Sequence, residues 1–286
     1  MKLIEDNKFI PMTSVSSGSG KEVRSDIYYY TNHIVNIVMI GDPEGEDWFL
    51  VDTGMPFSGK EIIFITEERF GKGSKPKAIF LTHGHFDHVG GIVDLLEAWD
   101  VQVYAHLLEF PYLTGKKSYP DSDTSVEGGL LAKISSIYPY EPVDIGEVLL
   151  PLPHNGSVPG LPEWRWIAAP GHSPGQVVFF RERDKILLSA DAFITVRQDS
   201  LYKVLIQKEE INGPPRYFTT DWQAAAETVK ELASLNPELV ISGHGQFMEG
   251  EELRAGLEIL AYGFDKLAKP KYGKYVTDTD QELEHQ

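Results

Sequence analysis

The chain has 286 residues, of which 42% are hydrophobic, 24% charged and 11% aromatic, a balance ordinary for a globular protein with a large core. Its 26 basic and 43 acidic side chains leave a formal net charge of −17, which opposes nucleic acid and anionic membranes as partners because neither offers counter-charge. Cysteine is absent, which excludes disulfides and thiolate metal ligands. Acids in Met1-Lys2-Leu3-Ile4-Glu5-Asp6 interrupt the apolar stretch a signal peptide needs, and no apolar run approaches the roughly 20 residues that cross a bilayer. A cytoplasmic location is therefore expected, and Asn155-Gly156-Ser157 reads as a turn rather than a glycosylation acceptor.

In chain order, Ser14 to Gly20 is a small-residue stretch expected to form a turn. Ile34 to Ile40 and Trp48 to Val51 are predicted strands around a Gly-Asp-Pro-Glu-Gly-Glu turn. Ser58 to Phe70 has helical apolar spacing, and Gly71 stops it. A strand over 78–81, a helix over 90–99 and a strand over 101–105 follow, and Ala224 to Leu235 and Glu251 to Leu267 are predicted helices. The alternation argues for a layered α/β domain occupying residues 1–286, with insert-like stretches at 107–143 and 193–218.

Four of the strand-like runs end in the same way. Ala78 to Leu81 leads to His83 and His85, and Trp166 to Ala169 leads to His172. Ile186 to Leu188 leads to Asp191, and Leu239 to Ile241 leads to His244. Ligands of α/β proteins collect at the carboxyl ends of strands, where the chain leaves the core. The densest segment is Thr82-His83-Gly84-His85-Phe86-Asp87-His88-Val89-Gly90-Gly91, in which three imidazoles and a carboxylate fall within six residues. Imidazole and carboxylate suit Zn²⁺ and equally Fe, Mn or Co. Phe86 is expected to pack beneath this loop, His33 and His106 to be structural or solvated, and His285 to lie on a polar tail.

The His-x-His-x-Asp-His segment resembles the signature of the metallo-β-lactamase superfamily. Gly171-His172-Ser173-Pro174-Gly175, Asp191 and Gly243-His244-Gly245 are similar to its later motifs, and Val51-Asp52-Thr53-Gly54 to an earlier one. Five of the nine histidines fall on ligand positions of the family. The resemblance implies a four-layer αββα sandwich with two divalent metal ions at one rim, zinc being the expected metal. One ion would take His83, His85 and His172, the other Asp87, His88 and His244, with Asp191 bridging and Asp52 supporting the site without ligating. It further implies a hydroxide nucleophile held between the ions, with Asp87 steering water or carrying a proton.

Asp191 and the lack of cysteine separate the chain from true β-lactamases, and its acidity from the nuclease branch. The motifs look most like the acyl-homoserine lactonase and glyoxalase II branches. The lactonase tyrosine three residues past the bridging aspartate is Ile194 here, and Ala192-Phe193 replaces the glyoxalase Thr-Leu-Phe. His154, Tyr202 and Tyr217 are candidate substrate contacts, within or near aromatic-rich stretches that suit an acyl group. The expected activity is hydrolysis of a small ester, lactone or thioester. A phosphodiesterase or a non-hydrolytic metal-binding protein is the alternative. A small-molecule substrate is the expected partner, and a homodimer is allowed.

Overall fold

A computed structural model describes residues 14–127, 143–196 and 210–276. β1 (Ser19–Arg24), β2 (Ile27–Asn32), β3 (Val35–Ile40) and β4 (Phe49–Val51) run antiparallel. β5 (Ala78–Phe80), β6 (Gln102–Ala105) and β7 (Leu149–Pro151) extend the same sheet in parallel, in the order β1-β2-β3-β4-β5-β6-β7. The second sheet contains β8 (Trp164–Ala168), β9 (Val177–Arg181), β10 (Ile186–Ala190), β11 (Leu239–Ser242) and β12 (Met248–Glu249), in the order β12-β11-β10-β9-β8. Its β10–β11 pair is parallel and its other pairs are antiparallel.

Residues alternate between the two faces of each strand, which produces three stacked cores. In β3, Val38 and Ile40 face the second sheet and meet Phe179 of β9, Leu188 of β10 and Ile241 of β11 in one buried cluster. Ile37 and Met39 face the other way, onto α1 (Gly59–Phe70) and α3 (Ile92–Ala98) through Ile62, Ile92 and Leu95. On the far side, Val178, Leu187 and Val240 pack on α5 (Trp222–Ser234) and α6 (Gly250–Leu267) through Val229, Leu253, Leu257 and Phe264. The result is an αββα sandwich, as expected. The short helices α2 (Phe86–Val89) and α4 (Phe110–Leu113) sit at one rim.

The structure departs from the sequence reading at several boundaries. The helix expected over 90–99 is α3, and a separate short helix, α2, precedes it across Gly90 and Gly91. A side chain at Gly90 would collide with the backbone of Met55 and Pro56, so the loop after β4 packs closely against the joint between α2 and α3. Ser19 and Gly20 belong to β1, paired with Thr31 and Tyr30, rather than to a turn. α5 starts two residues early because Asp221 caps it, accepting the Ala224 N–H at 2.9 Å. In the insert-like stretch 107–143, the turn Leu107–Glu109 and α4 are ordered into the main body, with Glu109, Tyr112 and Tyr119 buried.

Phe179 is 1% exposed and stands against Phe80 with ring centroids 5.7 Å apart, between the two sheets. Phe179→Ala is expected to destabilise the fold by about 3–5 kcal/mol, read from the denaturant midpoint. A loss below about 1 kcal/mol would mean that the inter-sheet layer closes over the cavity or was never tightly packed.

Candidate metal centre

Each cluster residue follows the carboxyl end of a strand, and local backbone features turn it inward. Ala190 lies in the left-handed region at φ 46°, beside an irregularity in the β10–β11 register, and this turn directs the Asp191 carboxylate into the centre. Asp52, just past β4, is also left-handed at φ 61°. Such a conformation costs a non-glycine residue about 1–2 kcal/mol, so both are held by their surroundings. Gly243 is required by space, since a side chain there would collide with the Asp191 carboxylate.

The seven residues converge. Ligand atoms of His83, His85 and His172 lie within 4.8 Å of one another, as do those of Asp87, His88 and His244. His83, His88 and Asp191 form a third such group between these two. Asp191 Oδ2 is 3.4 Å from His172 Nε2 and 3.3 Å from His244 Nε2, and Oδ1 is 3.5 Å from His88 Nε2. Asp87 Oδ2 is 3.4 Å from His244 Nε2. His85 Nδ1 and His172 Nε2 are 2.8 Å apart. All seven side chains are buried, from 0% exposed at His83 and His88 to 6% at His85 and Asp87.

In four of the five rings the remaining nitrogen is anchored, which orients the free one. His88 Nδ1–H donates to Asp52 Oδ2 at 2.8 Å. The Thr82 hydroxyl donates to the same Oδ2 at 2.8 Å and therefore accepts from His83 Nδ1–H at 3.1 Å. Asp52 thus steadies two rings, one of them through Thr82. His244 Nδ1–H donates to the Ile34 carbonyl at 2.9 Å. Thr219 Oγ1 donates to the Pro215 carbonyl at 2.8 Å and accepts from His172 Nδ1–H at 3.3 Å.

That geometry leaves His83 Nε2, His88 Nε2, His244 Nε2 and Asp191 Oδ1 buried with no hydrogen-bond partner. One such atom costs about 1–3 kcal/mol, so four at a single point fit a bound cation far better than a polar core. The donor set, imidazole plus carboxylate without thiolate, matches a borderline divalent ion.

Electrostatics divide the rings. Burial, reinforced by neighbouring imidazoles, holds His83 and His85 well below 6.5, and burial lowers His172 to about 4. Burial also opposes charge on His88 and His244. There the facing carboxylates prevail, Asp191 foremost, lifting His88 well above 6.5 and His244 to about 9. Burial would raise the Asp191 carboxyl, but His244 and His88 hold it well below the usual carboxylate range.

Other expected site residues are placed differently. His154 is exposed on the loop after β7, near His106, and belongs to none of the three donor groups. Tyr217 is 2% exposed, its ring 4.9 Å from that of Phe218, so it is buried rather than presented to solvent at the rim. Tyr202 lies outside the described residues. Two residues the sequence reading passed over hold the loops. Asn36 Nδ2 donates to the Ser242 and Gly245 carbonyls at 2.9 and 2.6 Å, bracketing His244. Glu109, fully buried, accepts hydrogen bonds from the loops of His83, His85 and His172. The one polar residue in the apolar strand run 34–40, Asn36, was a usable signal, whereas Glu109 offered none.

A family model described as the metallo-beta-lactamase superfamily matches residues 30–244. The chain belongs to this superfamily. The probable metallo-hydrolase YflN of Bacillus subtilis (strain 168) is 46% identical over 254 residues, covering 88% of this chain and 96% of that one. The probable metallo-hydrolase YybB of the same organism is 31% identical over 212 residues, covering 73% of this chain and 81% of that one. Among solved structures, the subclass B3 metallo-beta-lactamase MEM-A1 from a soil metagenome library aligns with TM-score 0.55 at 21% identity, covering 80% of this chain and 81% of that one. A B3 metallo-beta-lactamase with an active-site glutamic acid aligns with TM-score 0.59 at 17% identity, covering 90% of this chain and 91% of that one. At such identities the solved structures establish the shared fold. No helix among the described residues is long and apolar enough to cross a membrane.

For this metallo-β-lactamase-fold centre, the His244 value of about 9 has a measurable consequence. Because that pKa is raised, the His244 proton stabilises the metal-free fold fully below 6.5, and the contribution is lost as pH rises through about 9. A cation must displace the proton, so binding releases protons and affinity strengthens as pH rises from 6.5 to about 9. Zn²⁺ titration calorimetry in two buffers of different ionisation enthalpy reads the released protons directly. Affinity unchanged across that range would mean that His244 and His88 are neutral in the metal-free chain.

Proposed function

We propose that the chain, acting as one domain, is a dinuclear metal-dependent hydrolase of a small ester, lactone or thioester. The observation that carries the reading is the set of four partnerless buried ligand atoms on His83, His88, His244 and Asp191. His83, His85 and His172 would hold one cation, and Asp87, His88 and His244 the other, with Asp191 between them. Two such ions, with zinc the expected metal, would supply Lewis acidity toward a carbonyl oxygen and lower the pKa of water. The metallo-hydrolase names of the Bacillus relatives agree with this reading.

The protein's own groups supply proton transfer and binding. Asp87 is held in its ionised form because His88 and His244 outweigh its burial, and at neutral pH it is ready to take a proton from attacking water and return it to the leaving group. Asp52, Thr82, Thr219 and the Ile34 carbonyl orient the rings but do not touch the reacting atoms. Phe218, partly exposed, lies 5.0 Å from the His85 ring and 6.2 Å from the Phe86 ring, forming an apolar wall beside the cluster. That wall suits an acyl group, while the net charge of −17 opposes steering of phosphodiesters.

Metal-replete protein is expected to contain two ions per chain by elemental analysis and to show higher kcat/KM for a lactone or thioester than for bis(p-nitrophenyl) phosphate. A clear advantage for the phosphodiester overturns the substrate class, and metal content near zero overturns the centre. Asp191→Ala is expected to lower turnover by at least about 10²-fold and to weaken one ion, because the two positive charges then face each other uncompensated. Turnover and metal content both near wild type would reduce Asp191 to an ordinary loop residue.

A further inference from the structure

Glu109 is fully buried between the two loops that carry His83, His85 and His172, and among the described residues no lysine, arginine or histidine forms an ion pair with it. Its Oε2 accepts the Tyr119 hydroxyl and, at 3.0 Å, the Gly84 N–H, which Tyr119 Oη shares at 2.9 Å. Its Oε1 accepts the Gly175 N–H at 2.7 Å and the Ser173 hydroxyl at 3.0 Å. Gly84 lies between His83 and His85, and Ser173 and Gly175 follow His172. One carboxylate therefore ties together the two loops that supply the trio of imidazoles.

Donor arithmetic shows why an acid is needed. A hydroxyl can turn to donate or accept, but a backbone N–H only donates. Each Glu109 oxygen faces one backbone N–H, so both oxygens must be acceptors, which an amide cannot satisfy. Both contact points are glycine because nothing larger fits. A side chain at Gly84 would come within 2.8 Å of Tyr119 Oη, and one at Gly175 within 2.8 Å of Glu109 Oε1. Tyr119 completes the support from the other side, its ring 4.3 Å from His85 and stacked 3.9 Å from Tyr112.

We propose that Glu109 is a positioning residue for the His83, His85 and His172 half of the centre, setting the separation of the two ligand loops by accepting the Gly84 and Gly175 N–H groups at once. The inference rests on the reading that these imidazoles hold a cation. It predicts an asymmetric effect, because the His88 and His244 rings of the other half are anchored elsewhere, through Asp52 and the Ile34 carbonyl.

The test is a Co²⁺ titration of the purified full-length chain, with stoichiometry from chelator competition and visible absorption reporting ligand geometry. Wild type is expected to bind two ions. Glu109→Gln is expected to weaken one site about 10- to 100-fold, alter its cobalt spectrum and leave the other within about threefold, the size seen when a ligand loses its hydrogen-bonded support. The weakened site should be the one His172→Ala removes, so Glu109→Gln should add nothing in a His172→Ala background. The double variant Tyr119→Phe, Ser173→Ala keeps both backbone hydrogen bonds to Glu109, losing only the shared contact of the Gly84 N–H with the Tyr119 hydroxyl, and should change either affinity by less than about threefold.

If Glu109→Gln does not fold, Gly175→Ala serves instead, since it displaces the loop while keeping the carboxylate, and the same selective loss is expected. Equal weakening of both sites, no weakening of either, or a double variant as impaired as Glu109→Gln overturns the positioning role. A wild-type chain that binds no cobalt overturns the metal reading itself, and the inference with it.

Discussion

Five imidazoles and two carboxylates meet at one buried point, and the rest of the structure serves to hold them there without water. Isolated, such a cluster disperses: like-charged rings repel, and buried atoms without partners favour solvent. The protein answers by anchoring the outer nitrogen of four rings, each to an acceptor of different origin. Asp52 takes His88, Thr82 takes His83, Thr219 takes His172, and the Ile34 carbonyl takes His244. With those nitrogens engaged, the rings are oriented and the inner nitrogens are aimed at a common region.

The anchors come from both sheets, so the centre depends on how the sheets stack. The Asn36 N–H of β3 donates to the Gly243 carbonyl past β11 at 2.7 Å, and the Val177 N–H of β9 donates to the Thr82 carbonyl past β5 at 2.9 Å. These cross-sheet hydrogen bonds sit at the rim of the apolar layer that contains Phe80, Phe179 and Leu188. Burying one phenylalanine is worth roughly 1.5–3 kcal/mol, comparable to the strain of a left-handed Asp52 or Ala190. A few well-packed rings in the layer therefore suffice to hold the site's distorted backbone.

Charge acts at two scales. Over the whole surface, −17 discourages anionic macromolecules. Inside the centre, the pattern is local: Asp191 draws protons onto His88 and His244, while His83, His85 and His172 stay neutral. The metal-free chain thus carries one half ready to coordinate and one half that must first release protons. This difference arises from whether the carboxylates outweigh burial and neighbouring imidazoles at each ring, and not from any difference in residue type.

By itself the sequence determined the layered α/β class and the seven residues of the cluster. Apolar runs of strand length each end at a residue whose side chain coordinates metals, and that coincidence needs no coordinates to read. The short helix α2 was less legible, because its joint with α3 packs at Gly90 against Met55 and Pro56, more than 30 residues earlier in the chain. Likewise composition offers Tyr217 as a candidate substrate contact but says nothing of the packing that buries it. Only the tertiary structure decided which nitrogen of each ring faces inward and that Glu109 is a clamp. In sequence Glu109 is one acid among 43, and its meaning depends on backbone N–H groups 25 and 66 residues away. Ligand identity resides in side-chain chemistry, which the sequence states directly, whereas ligand orientation resides in hydrogen bonds between distant segments, which exist only once the sheets have stacked.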